Sequence, residues 1–459
     1  MPGIVGIVGP GPADERERQA RTMLRALMHE PFYVSGTHFH PELGVYAAWV
    51  AHERSYAARQ SATRAADELS LAFAGECFPV AGEESAAAGG DPVSKYRVAG
   101  PGFVSSLNGM FSGILIDRNR RRAILFNDRY SAERIYVYER GDAVFFASEA
   151  KALLAVVPET RRLDDNAVAE LLAYGSTSGA RTLFHNVGLM PGGSAWVFEG
   201  SQRPTKKRYF LPAEWEEQPT LEDQEFEQRF VTLARSVLPT YAQADVPVGI
   251  SITGGLDTRM IMACLPQSRP RPTSYTYAAI SGETLDVRIG RRVSQAVGIE
   301  HHALRMTHEF LSNYGSSLDR TVFVTDGCSG ALQTHEIFLS KRARSLSPIR
   351  LTGNFGSEVL RDVSTLSPRR LVPELIDEVF RPSVHRALSR EVAANPVTQS
   401  AFEEVPMHVI GSMAAARSQV TFRTPYLDNA LVQLAYRASS GARSSPRAAL
   451  ALIAAANPA

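Results

Sequence analysis

The sequence predicts an α/β protein made of two unlike halves, a strand-rich mixed half followed by one built on a parallel sheet. Three observations lead there. Short runs rich in β-branched and aromatic residues crowd the first half of the chain. A charged stretch broken by prolines, "SQRPTKKRYFLPAEWEEQPTLED", interrupts it before residue 224. Beyond that stretch, apolar runs of strand length alternate with helical patterns, as in a parallel sheet covered on both faces. A length of 459 residues allows two or three domains of about 150 residues each.

In order along the chain, "PGIVGIV", "LGVYAAWV", "FSGILID", "RAILF", "RIYVYE" and "AVFFAS" read as strands. "AGEESAAAGGDP" (81–92) has loop composition, and "DDNAVAELLAYG" is a helix with acids at its start and Gly175 at its close. These define a first domain over 1–205, a linker over 206–224 and a second domain over 225–459. In the second domain Phe226, Phe230, Leu233 and Val237 mark one face of an amphipathic helix. "VPVGISI" follows as a buried strand, then a glycine pair, then "TRMIMACL" as a helix. "PTSYTYAAI" and "LDVRIGRRVSQAVG" repeat the strand–helix pattern.

Bulk chemistry narrows the function classes. Lys+Arg at 49 against Asp+Glu at 48 leaves +1, so no global field steers the chain to nucleic acid or membrane. Three scattered cysteines, Cys77, Cys264 and Cys328, read as reduced thiols of a cytosolic protein. The amino-terminal "MPGIVGIVGPGP" has no basic segment before its apolar run and reads as a strand and turn, and no window reaches the ~18 apolar residues of a membrane helix. The expectation is a cytoplasmic protein. "GIVGIVGPG" lacks the helix and acid of a dinucleotide loop, "DRNRRR" is a solvated hairpin tip, and adjacent His301 and His302 do not share a strand face for a metal.

"SITGGLDTRM" (251–260) is the stretch that carries chemistry. Ligands of open parallel sheets bind beyond the carboxyl ends of the strands. Gly254 and Gly255 can take φ > 0 and let a ligand approach, and the helix that follows directs free N–H groups and its positive dipole end there. Asp257 can hold a Mg²⁺ that bridges phosphate oxygens, with hydroxyls from Thr253 and Thr258 and a charge from Arg259. The same residues also read as a strand end with Asp257 as a plain helix N-cap. The Walker sequence is absent.

"SITGGLDTR" resembles the S-G-G-x-D-S pyrophosphate (PP) loop of ATP-pyrophosphatase enzymes. With "MPGIVGI", "LNGMFSGILID", "LFNDRYSAERIYVY", "FFASEAKALL", "TLFHNVGLMPGG", "LTGNFGSEVLRD" (351–362) and "FRTPYLDNALVQLA" (422–435), it is similar to the asparagine synthetase family along most of the chain. The resemblance implies an α+β Ntn-type sandwich of the class II glutamine amidotransferase kind, followed by an α/β PP-loop synthetase domain. It implies ATP and Mg²⁺ as cofactors, with Gly254, Gly255, Leu256, Asp257 and Thr258 on the pyrophosphate and Ser251, Tyr277, Thr352 and Gly353 at adenosine.

Departures from the family pattern are as informative. Pro2 stands where glutamine-hydrolysing members carry their nucleophilic cysteine, and a proline offers no thiol. Ala74 replaces the oxyanion-stabilising Asn, with Gly75 and Glu76 as a remnant. Asn354 replaces an acid, Ser357 replaces a second Mg²⁺-binding aspartate, and Glu358 is left to take over part of that role as a metal ligand and, with Asp257, a catalytic residue, or to remain a solvated or capping acid. Thr421 sits where an acid is common, and no lysine follows Lys341. The chain is then a fragment, is completed by a partner's tail, or has lost catalysis. The expected function is an AMP-forming ligase joining a small-molecule or peptide carboxylate to an amine or ammonia without glutamine hydrolysis. β-Lactam synthetases and lasso-peptide cyclases are relatives of that type. The alternative is an inactive nucleotide-binding or scaffolding relative of the same family, and a homo-oligomer is compatible with both.

Overall fold

The computed structural model describes residues 1–62, 68–80, 91–200, 203–266, 270–389 and 392–457. Most of the loop read at 81–92 lies outside the described residues. The six strands read from the first half all form. They are β1 (Gly3–Val8), β3 (Val45–His52), β5 (Gly109–Asp117), β6 (Arg122–Asn127), β7 (Tyr136–Arg140) and β8 (Ala143–Ala147). Five more join them: β2 (Tyr33–His40), β4 (Leu69–Cys77), β9 (Gly188–Leu189), β10 (Ser194–Glu199) and β11 (Thr205–Arg208).

They build two antiparallel sheets, ordered β2-β3-β1-β8-β7-β9 and β11-β10-β6-β5-β4. The sheets pack face to face: Ile4, Val45 and Phe146 of the first share a core with Phe73, Ile114 and Phe126 of the second. Alternation explains the partition, because Val5 and Ile7 point the other way and meet Met23 and Leu27 of the helix Ala13–Leu27 and Leu153 of the helix Ala150–Val156. The helix read at "DDNAVAELLAYG" spans Asp165–Tyr174, with Asp164 capping the Ala167 N–H and Gly175 in the left-handed region at φ 82°.

The boundary differs from the sequence reading. β11 pairs with β10 through Arg208, so the first domain's sheet runs three residues into the stretch read as linker. The stretch after it is packed, with Trp215 buried against Phe210, Phe402 and Tyr436. Apolar aromatics in a charged context are what the composition shift concealed.

The second half holds a five-stranded parallel sheet, β14-β13-β12-β15-β16, from β12 (Val248–Ser251), β13 (Thr273–Ala278), β14 (His301–Arg305), β15 (Ile349–Thr352) and β16 (Thr421–Arg423). Helices Asp223–Val237, Leu256–Ala263 and Leu285–Val297 cover it where the periodicity placed them. One core runs from this sheet into the first domain, taking in Phe78, Met110 and Tyr130. Among the described residues no helix is long and apolar enough to cross a membrane.

Candidate functional site

The central strand β12 ends at Ser251, whose neighbours in register are Tyr275 of β13 and Thr352 of β15. Tyr277 lies two residues farther along β13, and Gly353 follows β15 directly. The fold therefore gathers Ser251, Tyr277, Thr352 and Gly353 at the carboxyl edge of the sheet beside the Thr253–Gly255 turn. Arg350 ties this edge together: its Nε donates to Ser251 Oγ at 3.2 Å, its Nη1 reaches Tyr277 Oη and Glu336 Oε2 at 3.4 Å, and its guanidinium sits over the Tyr277 ring. Tyr277 Oη also meets Ser340 Oγ at 3.0 Å. The sequence reading missed Arg350 and Glu336, which no short motif marks.

The turn itself is bonded internally. Gly254 N–H donates to Asp286 Oδ1 at 3.1 Å and Gly255 N–H to Thr253 Oγ1 at 3.3 Å. Neither glycine adopts a positive φ, and Gly255, the helix N-cap, has φ −70°. Space at 254 is tight, since a Cβ there would lie 3.0 Å from Ile289 Cδ1 and that side chain would have to give way slightly. Arg259 turns back onto the loop, its Nη2 donating to Gly254 O at 3.0 Å.

Asp257 is the second residue of the helix Leu256–Ala263, not its N-cap. Its carboxylate accepts Arg361 Nη2 on both oxygens at 2.8 Å, and its carbonyl accepts the Tyr426 hydroxyl at 2.6 Å. Burial pushes its pKa up, and the Arg361 charge opposes that shift. Arg361 closes the one-turn helix Gly356–Arg361, which Phe355 enters at φ 74° with a fully buried ring. The helix lies hard against Asp257: a Cβ on Gly356 would be 2.6 Å from Asp257 Cγ, and one on Gly353 would be 2.7 Å from the Thr258 N.

The expectation that Asp257 and Glu358 hold Mg²⁺ does not fit this arrangement. A guanidinium already engages both Asp257 oxygens, and Ser357 supplies a hydroxyl, not a carboxylate, that donates to Glu358 Oε2 at 3.0 Å. Adjacent His301 and His302 diverge, the first to Ser274 Oγ at 3.0 Å and the second to Glu300 at 3.3 Å.

In the first domain, Pro2 lines a cavity with Gly75, Glu76, Met110 and Glu133, to which Thr421 and Phe422 of the second domain also contribute. Glu76 is committed elsewhere: Arg423 Nε and Nη2 donate to its two oxygens at 2.6 and 2.8 Å, with both side chains buried. Cys77 is buried, which pushes its thiol pKa up and away from reactivity.

Residues 93–210 match the glutamine amidotransferase domain family and residues 232–395 the asparagine synthase family. The chain is 23% identical over 288 residues to asparagine synthetase [glutamine-hydrolyzing] 1 of Bacillus subtilis, covering 61% of this chain and 45% of that one. It is 21% identical over 273 residues to a putative asparagine synthetase [glutamine-hydrolyzing] 2 of Methanocaldococcus jannaschii, covering 58% and 51%. The chain thus spans about half the length of these curated relatives. Among solved structures, glutamine phosphoribosylpyrophosphate amidotransferase of B. subtilis aligns over 87% of this chain and 96% of that one, with 11% identity and a TM-score of 0.34.

Proposed function

We propose that this chain, which belongs to the asparagine synthase family and carries a glutamine amidotransferase-type domain ahead of a synthetase domain, is an ATP-dependent, AMP-forming carbon–nitrogen ligase that works without glutamine. The observation that carries the reading is the strand–turn–helix at 248–263, set at the carboxyl edge of a parallel sheet with Ser251, Tyr277, Thr352 and Gly353 around it. In this reading the turn Thr253–Gly255 and the first turn of the next helix receive the pyrophosphate moiety of ATP. Adenosine lies against the ends of β13 and β15.

A substrate carboxylate oxygen attacks the α-phosphorus, the bond to the bridging oxygen breaks, and pyrophosphate leaves with that electron pair. An amine or ammonia nitrogen then attacks the acyl carbon and AMP departs. The chain's contribution to both steps is placement and charge compensation at phosphate. No glutamine is needed as donor, because Pro2 has no thiol and Glu76 is tied to Arg423. Such a ligase draws ATP and its carboxylate and amine partners from the cytoplasm.

ATP binding measured by calorimetry tests the reading. The chain is expected to bind ATP, and Asp257→Ala to bind it at least ~10-fold more weakly, a change of about 1.4 kcal/mol. Failure of the unmodified chain to bind ATP overturns it. The second reading, an inactive nucleotide-binding relative, is favoured by the Asp286 carboxylate on the Gly254 amide, where an anionic ligand would compete. It predicts ATP binding with no exchange of labelled pyrophosphate into ATP for any carboxylate offered.

A further inference from the structure

We propose that Arg361 occupies the role of a divalent cation at Asp257, so that the site holds nucleotide phosphate through a resident guanidinium and without Mg²⁺. The inference rests on the ATP reading above and specifies how that site is charged.

Four features of the fold point to it. Arg361 Nη2 alone makes both bonds to Asp257, at 2.8 Å each. The fork carries N–H groups beyond these two bonds, and its Nε is buried without a partner among the described residues. The pair is sheltered, with side-chain exposure of 24% for Arg361 and 13% for Asp257. Next, the position is imposed by the backbone. Gly356 has no Cβ to hold Asp257 away, and the single turn Gly356–Arg361 then projects Arg361 across the carboxylate. Finally, the residue that would complete a metal site is a hydroxyl, Ser357, which donates a hydrogen bond to Glu358 and also hydrogen-bonds Asp257.

A bridging Mg²⁺ works by binding a carboxylate on one side and phosphate oxygens on the other. A guanidinium can do the same, since its planar fork is permanently charged, more weakly hydrated than a small cation and matched to both oxyanions. Arg361 bound to Asp257 through one nitrogen has the fork geometry for that bridge. Arg361 also lines a small pocket with Phe230, Met260 and Leu360, so its side chain packs against apolar neighbours as well as the carboxylate.

The test compares ATP affinity in excess EDTA with that in excess Mg²⁺, and measures Mn²⁺ binding to the ATP-free protein by electron paramagnetic resonance. The unmodified chain is expected to bind ATP within ~3-fold equally in both buffers and to leave Mn²⁺ free at Asp257. Arg361→Ala should lose at least ~10-fold of its affinity in EDTA, and Arg361→Lys, which keeps the charge but not the fork, should lose part of it. Ser357→Asp combined with Arg361→Ala should gain Mn²⁺ binding and Mg²⁺-dependent ATP binding. ATP binding by the unmodified chain that requires Mg²⁺, or Mn²⁺ binding that Asp257→Ala removes, overturns the inference and leaves the ligase reading standing. No ATP binding in either buffer overturns the ligase reading and this one with it.

Discussion

Glu76 of β4 and Arg423 of β16 tie the two halves of the chain to each other. Their two-point ion pair is buried, and Arg423 also donates to the carbonyls of Tyr241 and Gln243. Removing one partner strands a buried charge, so Glu76→Gln should cost about 3 kcal/mol or more in urea denaturation. His52 predicts an acid response. Burial, aided by Arg344, lowers its pKa to about 3, while its ring Nδ1 meets Thr421 Oγ1 at 3.1 Å. The unfolded chain takes up a proton below about pH 6.5 that the folded chain refuses until about pH 3. Stability from this group is therefore fully present above pH 6.5 and falls as pH drops through that window. His29, buried beside Glu149 with its pKa also lowered by burial, acts in the same direction. His52→Gln should flatten the decline, read as denaturation midpoints between about pH 7 and pH 4.

At the scale of elements, the short helix Gly356–Arg361 is the most exacting piece. It depends on a glycine pressed against Asp257 and on Phe355 held at a positive φ by a buried ring. Gly356→Ala should cost about 1–3 kcal/mol by overpacking and weaken ATP binding with it. Gly315→Ala is the control: it sits in the helix Tyr314–Val324 with nothing near its Cβ position and should be neutral or slightly stabilising. Elements with a continuous buried run or a full apolar stripe, such as β5 and the helix Asp223–Val237, were legible in sequence. The helix Ala13–Leu27 was not, because only Ala20, Met23 and Leu27 are buried in a strongly charged segment. β2 carries glycine and histidines and lies at a sheet edge, so its pattern is weak.

For the whole molecule, the two domains are joined by polar ties as well as by a common core. Asn108 donates to Asp428 at 2.7 Å, Lys151 and the Ala150 amide engage Asp326, and Arg134 donates to the carbonyls of Pro406 and Met407. The cavity at Pro2 is lined from both halves, by Glu76 and Glu133 of the first and by Thr421 and Phe422 of the second. Pro2→Cys alone is therefore expected to release no glutamate from glutamine above background, since Ala74 and the committed Glu76 leave the site without its other parts. Glutamate release by that single variant would show that the pocket had kept its chemistry.

Six strands of the first half, the strand–helix alternation around the turn at 251–260 and the proline at position 2 were present in the sequence, because each is a local pattern of adjacent residues. The partners of the site were not. Arg361 meets Asp257 across 104 positions and Arg350 meets Ser251 across 99, and Asp286 reaches the Gly254 amide across 32. Local patterns report which backbone shapes and faces a segment prefers, whereas the charge that finally sits on a carboxylate depends on which distant loop the packed sheet brings over it. That is why Asp257 could be singled out from the sequence alone, while the guanidinium bound to it was decided by the tertiary structure.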